Sequence, residues 1–320
     1  MHRFLRIFIL AGAAVLGPQA GAQPYPSKPI TMVVPFGPGS ATDTLARIIG
    51  QNLAPALKQP IVIDDKPGAN GAIAAALAAR AAPDGYTLFL STNSPHSAAP
   101  SLNKTLAYDP IRDFAAVSRV GSFTLMLVLN AAVPAKSIPE LIAYAKAHPG
   151  ELSFASGNTS GVVAGELLKA WAGINIVHVP YRSSPPAVND VVGGRVSMMF
   201  ADLITSLPHV QANTLRALAV TRTQRSTLIP VLPTMQEAGV ANFDMDSWAG
   251  MFVPAKTPPE IIALLNAELR KILDNPEIRA RIGGLGFEAF SSTPAELDDF
   301  AKVQLVKWTK MIRDAGIEPE

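Results

Sequence analysis

The sequence predicts an α/β protein of two lobes, each a mostly parallel sheet flanked by helices. Three observations lead there. Short apolar runs of strand length alternate with longer runs of helical period, the pattern of sheets covered on both faces. The turn after nearly every strand is rich in Gly, Ser, Asn and Thr. The 320 residues suffice for two medium domains, yet no low-complexity linker divides them. The chain must therefore cross between lobes on ordinary strands and return.

The first 22 residues stand apart. Arg3 and Arg6 give a basic start, Ile7 to Leu16 an apolar run, and Ala20-Gly21-Ala22 a small-x-small sequence. This predicts a cleaved secretory signal peptide, cut before Gln23, and a periplasmic location. The run is short for a membrane span, and no later segment holds the roughly 20 apolar residues a span needs.

Ile30 to Val34 is the first strand, and Pro35-Phe36-Gly37-Pro38-Gly39-Ser40 is its turn. The helix beyond places Leu45, Ile48, Ile49, Leu53 and Leu57 on one face, and Ser40 with Asp43 reads as a capping box. Ile61 to Ile63 is the second strand. It leads through Pro67-Gly68-Ala69-Asn70-Gly71 to an alanine-rich helix ending near Arg80. Tyr86 to Leu90 is the third, opening into Ser91-Thr92-Asn93-Ser94.

The same order returns in the middle of the chain. Leu152 to Ala155 leads through Ser156-Gly157-Asn158-Thr159-Ser160-Gly161 into a helix that runs through Trp171. Ile176 to Val179 leads through Tyr181-Arg182-Ser183-Ser184 to a short helix starting at Pro185 or Pro186. Val196 to Phe200 runs into Asp202, and Leu215 to Val220 and Trp248 to Val253 are further strands. The last quarter is mainly helical. Thr257-Pro258-Pro259-Glu260 and Thr293-Pro294-Ala295-Glu296 both read as capping boxes with proline in the first turn. The final helix carries Leu297, Phe300 and Trp308.

Composition narrows the function. Hydrophobic residues make up 48% and charged residues 16%, which excludes a disordered chain. Without residues 1–22 two arginines and no acid are lost, so the formal net charge falls from +2 to zero. The basic pI thus carries no message about nucleic acid, and no basic stripe supports one. There is no cysteine, so an exported chain must stand on its core, without disulfides, thiolate chemistry or cysteine metal ligands.

In a doubly wound sheet ligands bind beyond the carboxyl ends of the strands, where helices begin. Glycine lets backbone amides approach a ligand, and each helix start offers unpaired N–H groups at the positive end of a dipole. An anion with two or three acceptor oxygens fits there without any arginine. Alternatively, Ser40, Asn70 and Ser160 only cap their own helices. Several such turns at matching strand ends favour a binding cleft. Phe36 and Tyr181 would wall a ligand's carbon skeleton or serve ordinary packing. Asp43 and Asp202 are acids able to hold a ligand ammonium, although Asp43 serves equally as a cap partner. Arg182 is either an anion clamp or a solvated surface residue.

Enzyme motifs fail. In Gly157-Asn158-Thr159-Ser160-Gly161 the serine comes one place late for a nucleophile elbow. Gly68-Ala69-Asn70-Gly71 lacks the third glycine of a dinucleotide fingerprint. The histidines are scattered, and His96 and His209 have no neighbouring acids at metal-ligand spacing. A hydrolase using Ser160 would need a His–Asp pair that the sequence does not suggest. No cofactor, no metal and no enzymatic activity are expected.

The motifs and their order resemble the substrate-binding proteins of tripartite tricarboxylate transporters, the Bug family, over essentially the whole length after the signal peptide. The carrying stretches are Tyr25-Pro26-Ser27-Lys28-Pro29-Ile30, Val33-Val34-Pro35-Phe36-Gly37-Pro38-Gly39-Ser40-Ala41-Thr42-Asp43 and Lys66-Pro67-Gly68-Ala69-Asn70-Gly71. Pro83-Asp84-Gly85-Tyr86-Thr87-Leu88, Tyr108-Asp109-Pro110 with Asp113-Phe114, and His178-Val179-Pro180-Tyr181-Arg182 follow. Leu215 to Thr221, Pro233 to Gly239 and Trp248-Ala249-Gly250 complete them.

The resemblance implies a periplasmic binding protein fold of the second topological type, closing on its ligand about a hinge. It also implies a small carboxylate ligand, whether amino acid, dicarboxylate, citrate-like or aromatic acid, delivered to separate membrane permease subunits. By the same resemblance, Phe36, Gly37, Gly39, Ser40, Thr42 and Asp43, with Ala69, Asn70, Gly71 and Asn93, would bind ligand from the first lobe. Ser156, Asn158, Thr159, Ser160, Tyr181 and Asp202 would bind it from the second. Lobe one is expected to comprise residues 23–122 and 247–320, lobe two residues 123–246, and the protein to be a monomer. Several positions depart from the family pattern: Gly37, Ser40, Asn70, Val162 or Val163, and Arg182-Ser183. Carboxylate capture at the first lobe is expected to survive them, and selectivity at the second lobe is what they bear on. A receptor that reports to a sensor kinase, rather than to a permease, is the alternative reading.

Overall fold

The computed structural model describes residues 25–319, and the expected signal peptide lies outside the described residues. The first strand, β1 (Ile30–Val34), is almost wholly buried. In α1 (Ala41–Leu57), Ser40 caps the helix, its Oγ accepting from the Asp43 N–H at 3.2 Å. The Asp43 carboxylate reaches back to the Gly39 N–H at 2.8 Å, one residue beyond the Ser40 N–H that a capping box would engage. β2 (Ile61–Asp65) leads through a single 3-10 turn at Ala69–Gly71 to α2 (Ala72–Ala79). β3 (Thr87–Thr92) runs two residues beyond its expected end. It then enters a helical stretch whose first turn, Ser94–Ala98, is widened to the π form and continues as α3 (Ala99–Leu102).

β4 (Phe114–Phe123) passes through Thr124 alone into β5 (Leu125–Asn130), the first strand of a second sheet. α4 (Ile138–Ala147), β6 (Ser153–Ser156), α5 (Thr159–Ala172), β7 (Val177–Pro180) and α6 (Ser184–Val192) follow. β8 (Met198–Asp202), α7 (Leu203–Gln211) and β9 (Leu215–Val220) end this part. The chain then returns to the first sheet in β10 (Ser247–Pro254). It closes with α8 (Pro259–Asp274), α9 (Pro276–Gly283), β11 (Phe287–Ala289) and α10 (Pro294–Asp314).

The first sheet has the order β11-β4-β10-β3-β1-β2 and the second β7-β6-β8-β5-β9. β1 pairs in parallel with β2 and β3, and β6 with β7 and β8. β10 lies antiparallel between β3 and β4, and β5 antiparallel between β8 and β9. Four strands of each sheet therefore point one way. β5 and β10, which run against them, are each the first strand after a passage between sheets.

Helices pack on both faces of both sheets. Leu45, Ile49 and Leu53 of α1 and Leu265 and Leu269 of α8 cover one face of the first sheet. Ala74, Ala75 and Ala78 of α2 cover the other, against Phe89 and Phe252. Over the second sheet, α4 and α5 lie on one face and α6 on the other. The final helix serves two cores. Leu297 and Ala301 pack on the first sheet, while Trp308 and Ile312 one half-helix later pack in the core of the second. Its N-terminal capping box at Thr293 and Glu296 is complete. The box expected at Thr257 does not form: its Oγ1 donates to the Pro254 carbonyl, and Pro258 occupies the cap position of α8.

Candidate functional site

The two sheets point their helix starts at one another. A small cavity between them is lined by Ser40, Ala41 and Thr42 of α1, Asn158 before α5, Ser184 of α6 and Asp202 before α7. Phe36 and Phe123 supply its apolar walls, and Thr92, Ser94 and Ser247 add hydroxyls. Four helix N-termini thus converge on one space, each with its positive dipole end inward. The cavity is partly open, and its free volume is about 10 Å³, the room of roughly a single water.

On the α1 side, the donors are backbone groups. A helix leaves its first N–H groups without intrahelical partners. Ser40 Oγ takes that of Asp43, while Ala41 and Thr42, two residues that line the cavity, keep N–H groups without intrahelical partners. Asp43 itself faces elsewhere. One carboxylate oxygen accepts from Gly39 N–H and the other pairs with Arg47 Nε at 2.7 Å. This acid is already neutralised, and its role is to hold the turn.

Across the cavity, Asn158 caps α5 by accepting the Gly161 N–H at 2.9 Å, and its Nδ2 turns toward Asp202 Oδ2 at 3.4 Å. Ser184 Oγ lies at the same distance from that oxygen. Asp202 stands at the cap position of α7, yet its side chain caps nothing there. It is 5% exposed, and burial raises its carboxyl pKa to about 6. The loop between β6 and α5 fits tightly against α6. A Cβ on Gly157 would lie 2.4 Å from Ser184 N and 2.5 Å from the Ser183 carbonyl carbon, so only glycine lets the two backbones meet.

Direct hydrogen bonds tie the lobes together around this space. Asn93 Nδ2 donates to Ser160 Oγ at 3.0 Å, Thr159 N–H donates to Ser94 Oγ at 3.2 Å, and Gly37 N–H donates to Ser183 Oγ at 3.2 Å. Asn93, Thr159 and Ser160 are fully buried or nearly so. Gly37 and Gly39 lie against α6, their would-be Cβ positions 3.4 Å from Ser183 Oγ and 3.8 Å from Pro185.

The remaining expected site residues sit elsewhere. Ala69, Asn70, Ser156 and Tyr181 line a separate, wide hollow of about 1090 Å³, together with His178 and Arg182. Ala69, Asn70 and Gly71 take successive left-handed conformations, with φ of 45°, 50° and 89°. A Cβ on Gly71 would also meet Pro35 at 2.9 Å. Ser156 Oγ bonds His178 Nε2 at 2.7 Å, and the Tyr181 hydroxyl donates to Asp190 at 2.6 Å within its own lobe. Arg182 is exposed at the rim.

Thr92, Ser94, Phe123, Ser184 and Ser247 line the inner cavity without having been singled out as site residues. Ser94 and Ser184 lay within turns already read as polar strand ends. Phe123 and Ser247 carry no local signal, because they reach the cavity only through the pairing of β4 with β10, where they face each other. Among the described residues, no group of three or more His, Asp or Glu side chains is placed to hold a metal. Nor is any helix among them long and apolar enough to cross a membrane.

Residues 45–317 match the family model described as the tripartite tricarboxylate transporter family receptor. Protein BugT of Bordetella pertussis (strain Tohama I) is 35% identical over 321 residues, covering 99% of this chain and 98% of that protein. Among solved structures, R. palustris Rpa4515 with adipate shares 33% identity at a TM-score of 0.90, over 92% of this chain and 100% of that one. MatC (Rpa3494) from Rhodopseudomonas palustris with bound malate shares 31% identity at a TM-score of 0.84, over 90% and 100% of the two chains.

Proposed function

The chain belongs to the tripartite tricarboxylate transporter receptor family, and on that premise we propose that it captures one small carboxylate in the periplasm and passes it to the membrane permease of such a transporter. It is a receptor and not an enzyme. The single observation that carries the reading is the convergence of four helix N-termini on one cavity whose lining contains no Lys, Arg or His. Backbone amides aimed from fixed helix starts recognise a carboxylate without a counter-cation, and enclosure between lobes strengthens each hydrogen bond.

Residues 23–122 and 247–320 form one lobe of this receptor and 123–246 the other, and the exported protein works as a monomer after removal of residues 1–22. A cavity of about 10 Å³ cannot admit a carboxylic acid, so entry requires the lobes to part and re-close. In this reading the wide outer hollow is the vestibule through which the ligand passes.

The test is calorimetric titration of the purified protein with a panel of amino acids, dicarboxylates, citrate-like acids and aromatic acids. One class binding with a saturable heat is the expected result, and it also raises the melting temperature by mass action. Ser40→Ala and Asn158→Ala then weaken that ligand at least tenfold, while Asn70→Ala and Tyr181→Phe change it less. The reverse ranking moves the site to the outer hollow. No binding by any carboxylate to folded protein removes the reading.

A further inference from the structure

Two acids stand near the cleft, and they differ in one respect. Asp43 is satisfied by Gly39 N–H and Arg47. Asp202 has no cationic partner among the described residues. It sits at a helix cap position, where an aspartate ordinarily accepts the N–H of the second or third helical residue. Here the side chain makes no cap bond and lies along the cavity wall. Its Oδ2 has Asn158 Nδ2 and Ser184 Oγ at 3.4 Å each, beyond the usual 2.7–3.2 Å for such bonds. No ion pair among the described residues involves it, and no cation figures among the causes of its raised pKa. A buried carboxylate is ordinarily ion-paired or held by short hydrogen bonds; this one has no ion pair, two long side-chain bonds and a bond from its own backbone N–H.

The position of that carboxylate has a chemical meaning. Among the residues lining the cavity Asp202 is the one ionisable group, and it faces the α1 start across a space of about 10 Å³. One end of the site thus offers N–H donors and the other an anionic acceptor. A dicarboxylate engaging α1 would bring its second carboxylate against that of Asp202, a like-charge contact in a desolvated space. A ligand with a carboxylate at one end and an ammonium beside it meets both ends with the right sign. Phe36 and Phe123, the two aromatic side chains of the lining, bound the space between those ends.

We propose that Asp202 is the residue that determines specificity, and that it selects a compact zwitterion: an α-amino acid whose carboxylate meets the first turn of α1 and whose ammonium meets the Asp202 carboxylate. The proposal rests on the carboxylate-receptor reading and names its substrate class.

The test is calorimetry at pH 7.5 with matched pairs that differ only in the amine: L-aspartate against succinate, L-glutamate against glutarate, and L-alanine against propionate. For wild-type protein, at least one amino acid binds ten times or more tighter than its deaminated partner. In Asp202→Asn, which keeps the shape and removes the charge, that preference collapses, with tenfold or greater loss for the amino acid and none for the partner. Circular dichroism of the variant checks that it is folded, and the wild-type ratio needs no variant at all. Deaminated acids that bind wild-type protein as well as the amino acids do overturn the proposal while leaving the carboxylate reading intact. So does a dicarboxylate that binds more tightly as pH falls through about 6, because Asp202 would then be acting as a neutral donor. Failure of both members of every pair to bind folded wild-type protein overturns the proposal and the carboxylate reading together.

Discussion

The side-chain amide of Asn93 spans the cleft, its Nδ2 donating to Ser160 Oγ at 3.0 Å while its Oδ1 accepts from Ser247 Oγ. One residue at the end of β3 therefore joins the first turn of α5 to the start of β10. All three side chains are buried, so each bond has no solvent competitor. Asn93→Ala strands two buried hydroxyls and removes a direct link between lobes. The expected outcome is a loss of about 1–3 kcal/mol from the closed form. It appears as roughly fivefold or greater weakening of ligand binding and a larger radius of gyration in small-angle scattering without ligand. An unchanged affinity would show that this bond contributes nothing to closure.

Asp202 also governs stability, with a sign fixed by its environment. Burial raises its pKa from 3.8 to about 6, so the folded state binds its proton more tightly than the unfolded chain. Its contribution is most favourable below pH 4 and is lost as pH rises through 6. At pH 7 the buried charge opposes folding of the ligand-free protein by at most about 3 kcal/mol. Asp202→Asn should therefore stabilise the ligand-free protein at pH 7.5, by an amount that shrinks toward zero near pH 4. Urea unfolding across pH measures this difference. A destabilised variant at pH 7.5 would mean that the helix dipoles hold the charge in place.

His96 acts in the opposite sense. It lies fully buried in the π turn, stacked on Phe252 at 3.9 Å between ring centroids, with Nδ1 2.6 Å from Ser91 Oγ. Burial lowers its pKa from 6.5 to about 3, so between those values the unfolded chain binds the proton and the folded protein does not. Its contribution is whole above pH 6.5 and falls as pH drops, by about 2 kcal/mol at pH 5. His96→Phe should be less stable near neutrality through loss of the Ser91 bond, yet show a shallower decline between pH 6 and 4. A decline as steep as in wild-type protein would assign the acid sensitivity to other groups.

The glycines supply a paired experiment. Gly157→Ala places a methyl group 2.4 Å from Ser184 N, against backbone that cannot rotate away. The expected effect is a loss of about 1–3 kcal/mol in stability, with weakened binding because α5 and α6 both shift. Gly283, the last residue of α9, has open space around it and an ordinary backbone. Gly283→Ala should be neutral or stabilising by up to about 1 kcal/mol. Thermal melts of the two variants check the contrast.

What the sequence made legible follows from how local each signal is. The strand–turn–helix units around Ser40 and Asn158 were readable because alternation of period and polar turns are written within about 30 residues, whereas at Asp202 the strand was read and the helix after it was not. Capping at Thr293 was readable for the same reason. At Thr257 the identical pattern failed, because two prolines follow it and its hydroxyl found the nearby Pro254 carbonyl instead. β4, β5 and β11 were not placed, since their identity as strands depends on partners far along the chain. The expected ligand residues divide between an inner cavity and an outer hollow, with Asn93 and Ser160 bonded to each other between lobes. That division is a product of how closely the lobes approach, which no turn motif encodes. Asp202 was singled out as an acid, but its missing cap bond is visible only in three dimensions.

The last helix gives the molecule a spine. α10 is 21 residues long, about 31 Å of continuous rod, with Leu297 seated in one core and Trp308 in the other. The two halves are thus bound like the covers of a book along one edge, by this rod as well as by the strand crossings at Thr124 and after Val220. A book opens at the edge away from its binding. On the receptor reading proposed above, ligand would pass at that free edge, and the travel of the covers would be limited by how far Trp308 can roll without leaving its socket.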